Sequence, residues 1–377
     1  MKLIVTILAV LLSGAVTPPA VAESSGPGRT VRVRPGDGSF ARALKAWKPH
    51  DTILLAPGEY PERLKLVSEE KNIVRDLTVK AAVPGSVVFR GDVPAPKFTP
   101  CGGGIWQAPF PRLPEGVFER DTLTRYTCCG TRAGLEWACG AWAYDEKNKI
   151  LYVRTTASDD PAKHCLTVGV TPEHGFNIYC GDMKSGPRTV RFEGFAVTGF
   201  YSRCQSIDQA HIPSSQKRVP WGIVVSKPWE NVVIRDVTAF LNGLGVGFCG
   251  GSRNSTIENC RVWGNGNPFN HSGGGAGIYD SNAGCTVRNN IGADNSWNDV
   301  YLYSGTFGSD TKFECNRAYG TIRCKGEKEK MFRIRNCIAS NFTHLENVSH
   351  VDNCFAFNHV PGGETMTQMN LFPRCEK

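Results

Sequence analysis

The chain has 377 residues, 41% of them hydrophobic, and carries 43 Lys and Arg against 35 Asp and Glu, a formal net charge of +8. The excess is spread along the chain, with no long Lys/Arg block and no nucleic-acid-binding motif, which argues against a nucleic-acid partner. No apolar run reaches the roughly 18 residues that a membrane span needs.

In chain order, Lys2, the apolar run that follows and Ala20-Val21-Ala22 read as a secretory signal over 1–22. The mature protein is then expected to start at Glu23 and to be secreted, to the periplasm or the exterior. The fifteen cysteines suit an oxidising compartment. No pair has CxxC spacing, so a zinc ribbon or thioredoxin-type site is not expected. Cys101, Cys128, Cys129, Cys139, Cys165, Cys180 and Cys204 lie in irregular sequence and are the disulfide candidates.

Residues 23–92 read as an N-terminal unit. Val31 and Val33 alternate as a strand, and Ser39 N-caps a helix over 40–48 with an apolar stripe of Phe40, Ala43, Leu44 and Trp47. Pro49 ends it. A strand over 51–55, a turn over 56–60 and strands over 77–80 and 87–89 follow. Residues 93–185 break the pattern with clustered Pro, Gly, Cys and Trp. A hairpin over 141–154, turning at 146–148, marks this segment as a small β-rich insertion.

From 186 to 360 the chain repeats itself. One apolar position recurs at Ile234, Ile257, Val287, Phe313, Ile334 and Val351, spaced 23, 30, 26, 21 and 17 residues apart, each followed by Asn or Cys or a similar residue. A second set recurs at Ile223, Val246, Ile278 and Val300. Self-similarity at this spacing, without helical periodicity and with many turn-forming Asn and Gly, indicates a solenoid with one coil per repeat. Asn259, Asn289, Asn336 and Asn353 are read as amides buried and stacked coil on coil. Cys260, Cys337 and Cys354 are read as small buried residues. Residues 361–377 show no period and are assigned to a C-terminal tail or cap.

The helix followed by Asp51-Thr52-Ile53, Leu55, Gly58 and Tyr60, with the hairpin around Trp142, Tyr144, Asp145 and Leu151-Tyr152-Val153, resembles the pectate-lyase-like superfamily of exported parallel β-helix proteins. The resemblance implies an all-β, right-handed parallel β-helix with an N-terminal helical cap. It also implies a polysaccharide-active enzyme whose cleft lies along one outer sheet, with Ca²⁺ as a possible cofactor. The basic balance is compatible with an anionic glycan.

Stacking turns the repeat into geometry: adjacent coils lie about 4.8 Å apart, and alternate residues of a strand about 6.6 Å. Aligning Ile278, Val300 and Ile322 as inward residues stacks Tyr279, Tyr301 and Arg323 in one column. Tyr303 and Lys325 share the next, and Gly277, Asp299 and Thr321 the one before. For β-elimination on a uronate, Arg323 or Lys325 neutralises the carboxylate, and Lys325, His344 or Tyr301 is the base. Tyr279, Tyr303, Trp221 and His271 are candidate substrate contacts, and Asp299 and Glu346 candidate metal donors. The alternatives are a glycoside hydrolase, for which Asp280 and Asp299 are the nearest carboxyl pair, and a non-catalytic glycan-binding or adhesion solenoid. The partner expected is an anionic polysaccharide, with no nucleic acid and no membrane span, and the chain is expected to be a monomer.

Overall fold

The apolar positions that recur in the sequence stack directly on one another. In the computed structural model Ile234 pairs with Ile257, Ile257 with Val287, Val287 with Phe313, Phe313 with Ile334 and Ile334 with Val351, every strand pair parallel. The structure describes residues 28–36, 38–68, 76–180, 189–202, 219–226, 229–249, 254–266, 275–280, 285–296, 299–304, 312–314, 317–326, 332–335, 337–343, 348–352, 354–360 and 363–369. The expected signal segment over 1–22, Cys204, His271, His344, Glu346, Asn336 and Asn353 lie outside them.

Each regular coil contributes one strand to each of three faces. Face one runs through Thr52–Leu55, Leu77–Ala81, Val190–Glu193, Val232–Arg235, Thr256–Glu258 and Thr286–Arg288. Face two runs through Gly58–Tyr60, Val87–Arg90, Ala196–Thr198, Thr238–Phe240, Arg261–Trp263 and Ile291–Ala293. Face three runs through Leu64–Ser68, Phe176–Cys180, Trp221–Ser226, Leu244–Cys249, Ile278–Asp280 and Val300–Ser304. Arg317–Gly326 turns the corner as one strand, pairing first with face two and then with face three. The fold is therefore a parallel β-helix. The stretch read as a turn over 56–60 contains a short face-two strand, since three-residue strands are too short for their own periodicity to show.

The core fills the space between the faces. Phe89, Phe176, Phe192 and Phe195 are buried there, with ring centroids 4.7 Å apart for Phe89 and Phe176 and 5.1 Å for Phe176 and Phe195. Such edge and offset contacts add to the area that the rings bury. The helix spans Ser39–Ala46 and inserts Phe40 among these rings, 5.0 Å from Phe89. Ser39 is not its N-cap. Gly38 holds that position, and the Glu62 carboxylate accepts from Ser39 Oγ, Phe40 N and Ala41 N, supplying the acceptor that an N-terminus lacks.

The repeated Asn positions do different work from that expected. Asp236, Asn259 and Asn289 have φ of 54°, 55° and 56° at the corner between faces one and two. Asn259 and Asn289 are exposed, because this corner needs a left-handed residue and Asn tolerates one. The following position turns inward at Val237, Cys260 and Asn290, all buried. Cys260 and Cys337 are fully buried, as their reading as small core residues requires.

The buried amide ladder lies instead at the corner between faces two and three. Asn242 Nδ2 reaches Asn265 Oδ1 at 3.3 Å, and Asn265 Nδ2 reaches Asn295 Oδ1 at 2.9 Å. Each amide also donates to a carbonyl of the preceding coil: Val197, Ala239 and Val262. The ladder joins consecutive coils without leaving a buried amide unmatched.

The insertion leaves after Val87–Arg90 and is back on face three at Phe176–Cys180, so the solenoid resumes earlier than the expected boundary at 185. It forms an antiparallel four-stranded sheet and a second, five-stranded sheet around its own core of Val117, Tyr126, Trp142, Leu151, Val153 and Val168. The expected hairpin pairs Ala141–Asp145 with Ile150–Arg154. The unit leans on the solenoid through Phe118 against Tyr201, Arg125 over the Tyr201 ring and Arg120 over Phe240. Among the described disulfide candidates, Cys101, Cys129, Cys139 and Cys165 are not joined in disulfides. The segment assigned to a C-terminal tail or cap holds a strand, Gly363–Met369, antiparallel to Cys354–Val360. Among the described residues no helix is long and apolar enough to cross a membrane.

Candidate functional site

Face three carries the residues singled out for chemistry. Its strands alternate: Ile223, Val246, Ile278 and Val300 are buried in the main core, and their neighbours form a second column. That column runs Lys65, Asn177, Val224, Gly247, Tyr279, Tyr301, Arg323, Thr343 in unbroken register. Tyr303 pairs with Lys325 two residues further along. The alignment expected from sequence thus matches the ladder. The side unit enters the chain at the corner between faces two and three.

Trp221, Tyr279 and Tyr301 come together. Tyr279 lies 5.4 Å from Trp221, edge to face, and 5.3 Å from Tyr301. Gly247 makes this possible: a Cβ there would stand 2.5 Å from the Trp221 ring and 2.2 Å from the Tyr279 carbonyl. The group buries itself together with Val224, Leu244 and Ala276, leaving Trp221 9% and Tyr301 7% exposed. Tyr301 is thus a packed ring rather than a solvated phenol, which removes it from the candidate bases. Tyr279 keeps more of its surface.

The carboxylates do not fit their expected roles. Asp299 is 1% exposed, and its Oδ1 accepts from the Asn295 amide at 2.7 Å. It ends the amide ladder, so it does not fit a Ca²⁺ site, which asks for six to eight converging oxygens. Asp280 is also 1% exposed and pairs in register with Phe248, a core residue. Burial pushes the Cys285 thiol well up, and the Asp280 charge adds to the effect. Asp280 therefore faces the core and Asp299 the corner, and no hydrolase pair opens onto face three from these two.

A cluster in the side unit escaped the sequence reading. Glu119 is fully buried, and its carboxylate accepts from Tyr126 Oη, from Thr122 Oγ1 at 3.0 Å and from Thr156 Oγ1 at 3.0 Å. His164 stands between carboxylates, with Nε2 2.6 Å from Asp159 and Nδ1 3.3 Å from Glu119 and 3.8 Å from Asp121. The Asp159 hydrogen bond, reinforced by the charge of Glu119, raises the His164 pKa against the opposing effect of burial. Burial and the hydrogen bond to Glu119 push the Tyr126 phenol up. Ligand atoms of Glu119, Asp121 and His164 lie within 4.8 Å of one another. The hydroxyls around Glu119 already use its lone pairs, so the group reads as a satisfied polar centre of the side unit. Its members come from turns and strand ends spread over 46 positions, from 119 to 164, and no spacing pattern announces them.

No protein-family model matches the chain, and no curated protein does. Among solved structures, XylC in complex with xylose is 13% identical, with a TM-score of 0.46, over 85% of this chain and 66% of that one. The present chain thus spans just under two thirds of the length of XylC. A glycoside hydrolase is 9% identical, with a TM-score of 0.49, over 87% and 86% of the two chains. The A-module of mannuronan C-5 epimerase AlgE6 of Azotobacter vinelandii is 12% identical, with a TM-score of 0.30, over 84% and 87%. All three scores are below 0.5, so the parallel β-helix assignment stands on this chain's own strand register.

Proposed function

We propose that the protein is an exported enzyme that binds an acidic polysaccharide along face three and cleaves it by β-elimination. The observation that carries the reading is the register itself: Tyr301 beside Arg323, in the column of Tyr279, and Tyr303 beside Lys325 two residues along the strand. Neighbours across the ladder stand about 4.8 Å apart, and Arg323 and Lys325 about 6.6 Å along the strand. That spacing suits groups that hold a uronate carboxylate and reach the adjacent carbon.

In the proposed reaction Arg323 neutralises the carboxylate, which acidifies the proton on the carbon next to it. Lys325 takes that proton. The electron pair released forms the new C=C bond and expels the glycosidic oxygen one carbon further on. That oxygen leaves with a proton from Tyr303 or water, so one uronate linkage becomes an unsaturated end and a free hydroxyl. Tyr279, the member of the aromatic group that keeps more of its surface, offers a ring face to the sugar.

The test is incubation with a panel of uronate polysaccharides, following both ultraviolet absorbance of the unsaturated product and new reducing ends. Both signals are expected together. Arg323→Ala and Lys325→Ala are expected to lower turnover by at least about 10²-fold, the scale of a lost acid–base group, with unchanged melting temperature. Reducing ends without absorbance would establish hydrolysis instead. Neither signal, with retention on a glycan column, would make the protein a binder.

A further inference from the structure

The column that carries Arg323 begins in a cavity. Its N-terminal members, Lys65 and Asn177, are in register on adjacent strands. With Arg63, Pro172, Glu173, His174 and Pro220 they line a hollow of about 280 Å³. Arg63 is ion-paired to Glu173. Lys65 is exposed, and among the described residues neither its ammonium nor the Asn177 amide has a hydrogen-bond or ion-pair partner. His174 Nδ1 accepts from Trp221 N at 3.0 Å. The hollow therefore combines one uncompensated cation, an amide and an imidazole, with a single carboxylate already engaged by Arg63.

This is a donor-rich, net-positive recess, and its chemistry fits a carboxylate flanked by hydroxyls. It is also joined to the aromatic group: Pro220 lines it, and the next residue, Trp221, packs its ring against Tyr279. From Lys65 to Arg323 the ladder takes six steps, about 29 Å at about 4.8 Å each. We infer that the hollow is a distal binding subsite for an acidic sugar unit of the same chain whose scissile linkage lies near Arg323 and Lys325. The inference rests on the proposed reading of face three. It adds that substrate is gripped at both ends of the column, so affinity grows with oligomer length until the chain reaches Lys65. Lys65 supplies charge, Asn177 supplies a hydrogen bond, and Tyr279 stands between the two ends of the column.

The experiment is equilibrium binding of uronate oligosaccharides of increasing length, by calorimetry, alongside the same oligosaccharides with their carboxyls reduced to alcohols. The wild-type chain is expected to bind the long acidic oligomers best and the reduced ones at least about tenfold more weakly, as losing a charge-assisted contact implies. Lys65→Ala and Asn177→Ala are expected to weaken the long acidic oligomers on the order of tenfold. Lys45→Ala, an exposed lysine on the helix, is expected to change nothing. Tight binding of long oligomers that is indifferent to Lys65, or equal affinity for reduced ones, would overturn the subsite even if turnover is found. Lys65-dependent binding in a protein that releases no unsaturated product would keep the subsite and overturn the elimination. No binding of any uronate oligomer would overturn the subsite outright.

Discussion

At Gly247 face three lacks a side chain, and the Trp221 ring fills the space. An alanine there would set its Cβ against the Tyr279 carbonyl and the Trp221 ring, and the carbonyl is ladder backbone that cannot swing aside. Gly247→Ala is therefore expected to lower stability by about 1–3 kcal/mol, the usual cost of overpacking, read as a lower urea midpoint with a shifted tryptophan emission. Asp299 makes a parallel case. Removing its carboxylate in Asp299→Ala leaves the Asn295 amide only the Val262 carbonyl and takes the acceptor from Asn295 N, with an expected loss of about 1–3 kcal/mol and no response of the wild-type melting temperature to added Ca²⁺. A calcium-dependent melt abolished in this variant would restore the metal role. Residue identity showed that Asn matters in every coil. It did not distinguish Asn259, chosen for its left-handed backbone, from Asn265, chosen for its amide, because both follow a face strand closely in sequence.

Among the elements, the side unit was legible as a hairpin and opaque as a site. Alternation of Trp142 and Tyr144 against Leu151 and Val153 marks the paired strands, and Asp145 Oδ1 accepting from Lys147 N and Asn148 N fixes the turn. The Glu119–His164–Asp159 centre depends on how the two sheets pack, which no local pattern encodes. Its charge predicts a pH response. The folded state raises the His164 pKa, so its contribution is fully present below the unfolded value of about 6.5 and is lost as pH rises through the folded value. Thermal unfolding followed by fluorescence is thus expected to show the side unit losing stability from neutral to alkaline pH, and His164→Gln is expected to flatten that limb. An alkaline limb unchanged in the variant would assign the loss to other groups.

For the whole molecule, the two stacked apolar columns were sufficient to read a β-helix, since each coil repeats a buried position and sets its neighbour's register. Face two was legible only at 87–89, because most of its strands are three residues long. The coils also share charge. Glu258, with its side chain 6% exposed, takes Arg235 Nε at 2.5 Å and Arg288 Nη2 at 2.6 Å, joining three consecutive coils of face one. Burial raises the Glu258 pKa, but the hydrogen bonds from Arg288 and Arg235 outweigh it and hold the carboxyl below its ordinary value. A depressed carboxyl contributes stability that is present above its unfolded pKa and lost as pH falls through the folded one. Asp51, buried but bonded to Arg29, and Asp159, bonded to His164, act in the same sense. The molecule is therefore weakened from opposite ends of the pH scale, the solenoid mainly in acid and the side unit also in alkali. Glu258→Gln is expected to cost about 1–3 kcal/mol at neutral pH, as for hydrogen bonds to charged groups, and to flatten the acid limb while leaving the alkaline one. Glu258 and His164 share no partner, so the double variant with His164→Gln should show the sum of the two single effects to within about 0.5 kcal/mol, measured by calorimetry from acid to alkaline pH. A double variant that departs further from additivity would mean that the side unit and the coils unfold as one coupled electrostatic system, rather than as a solenoid carrying a separately stabilised appendage.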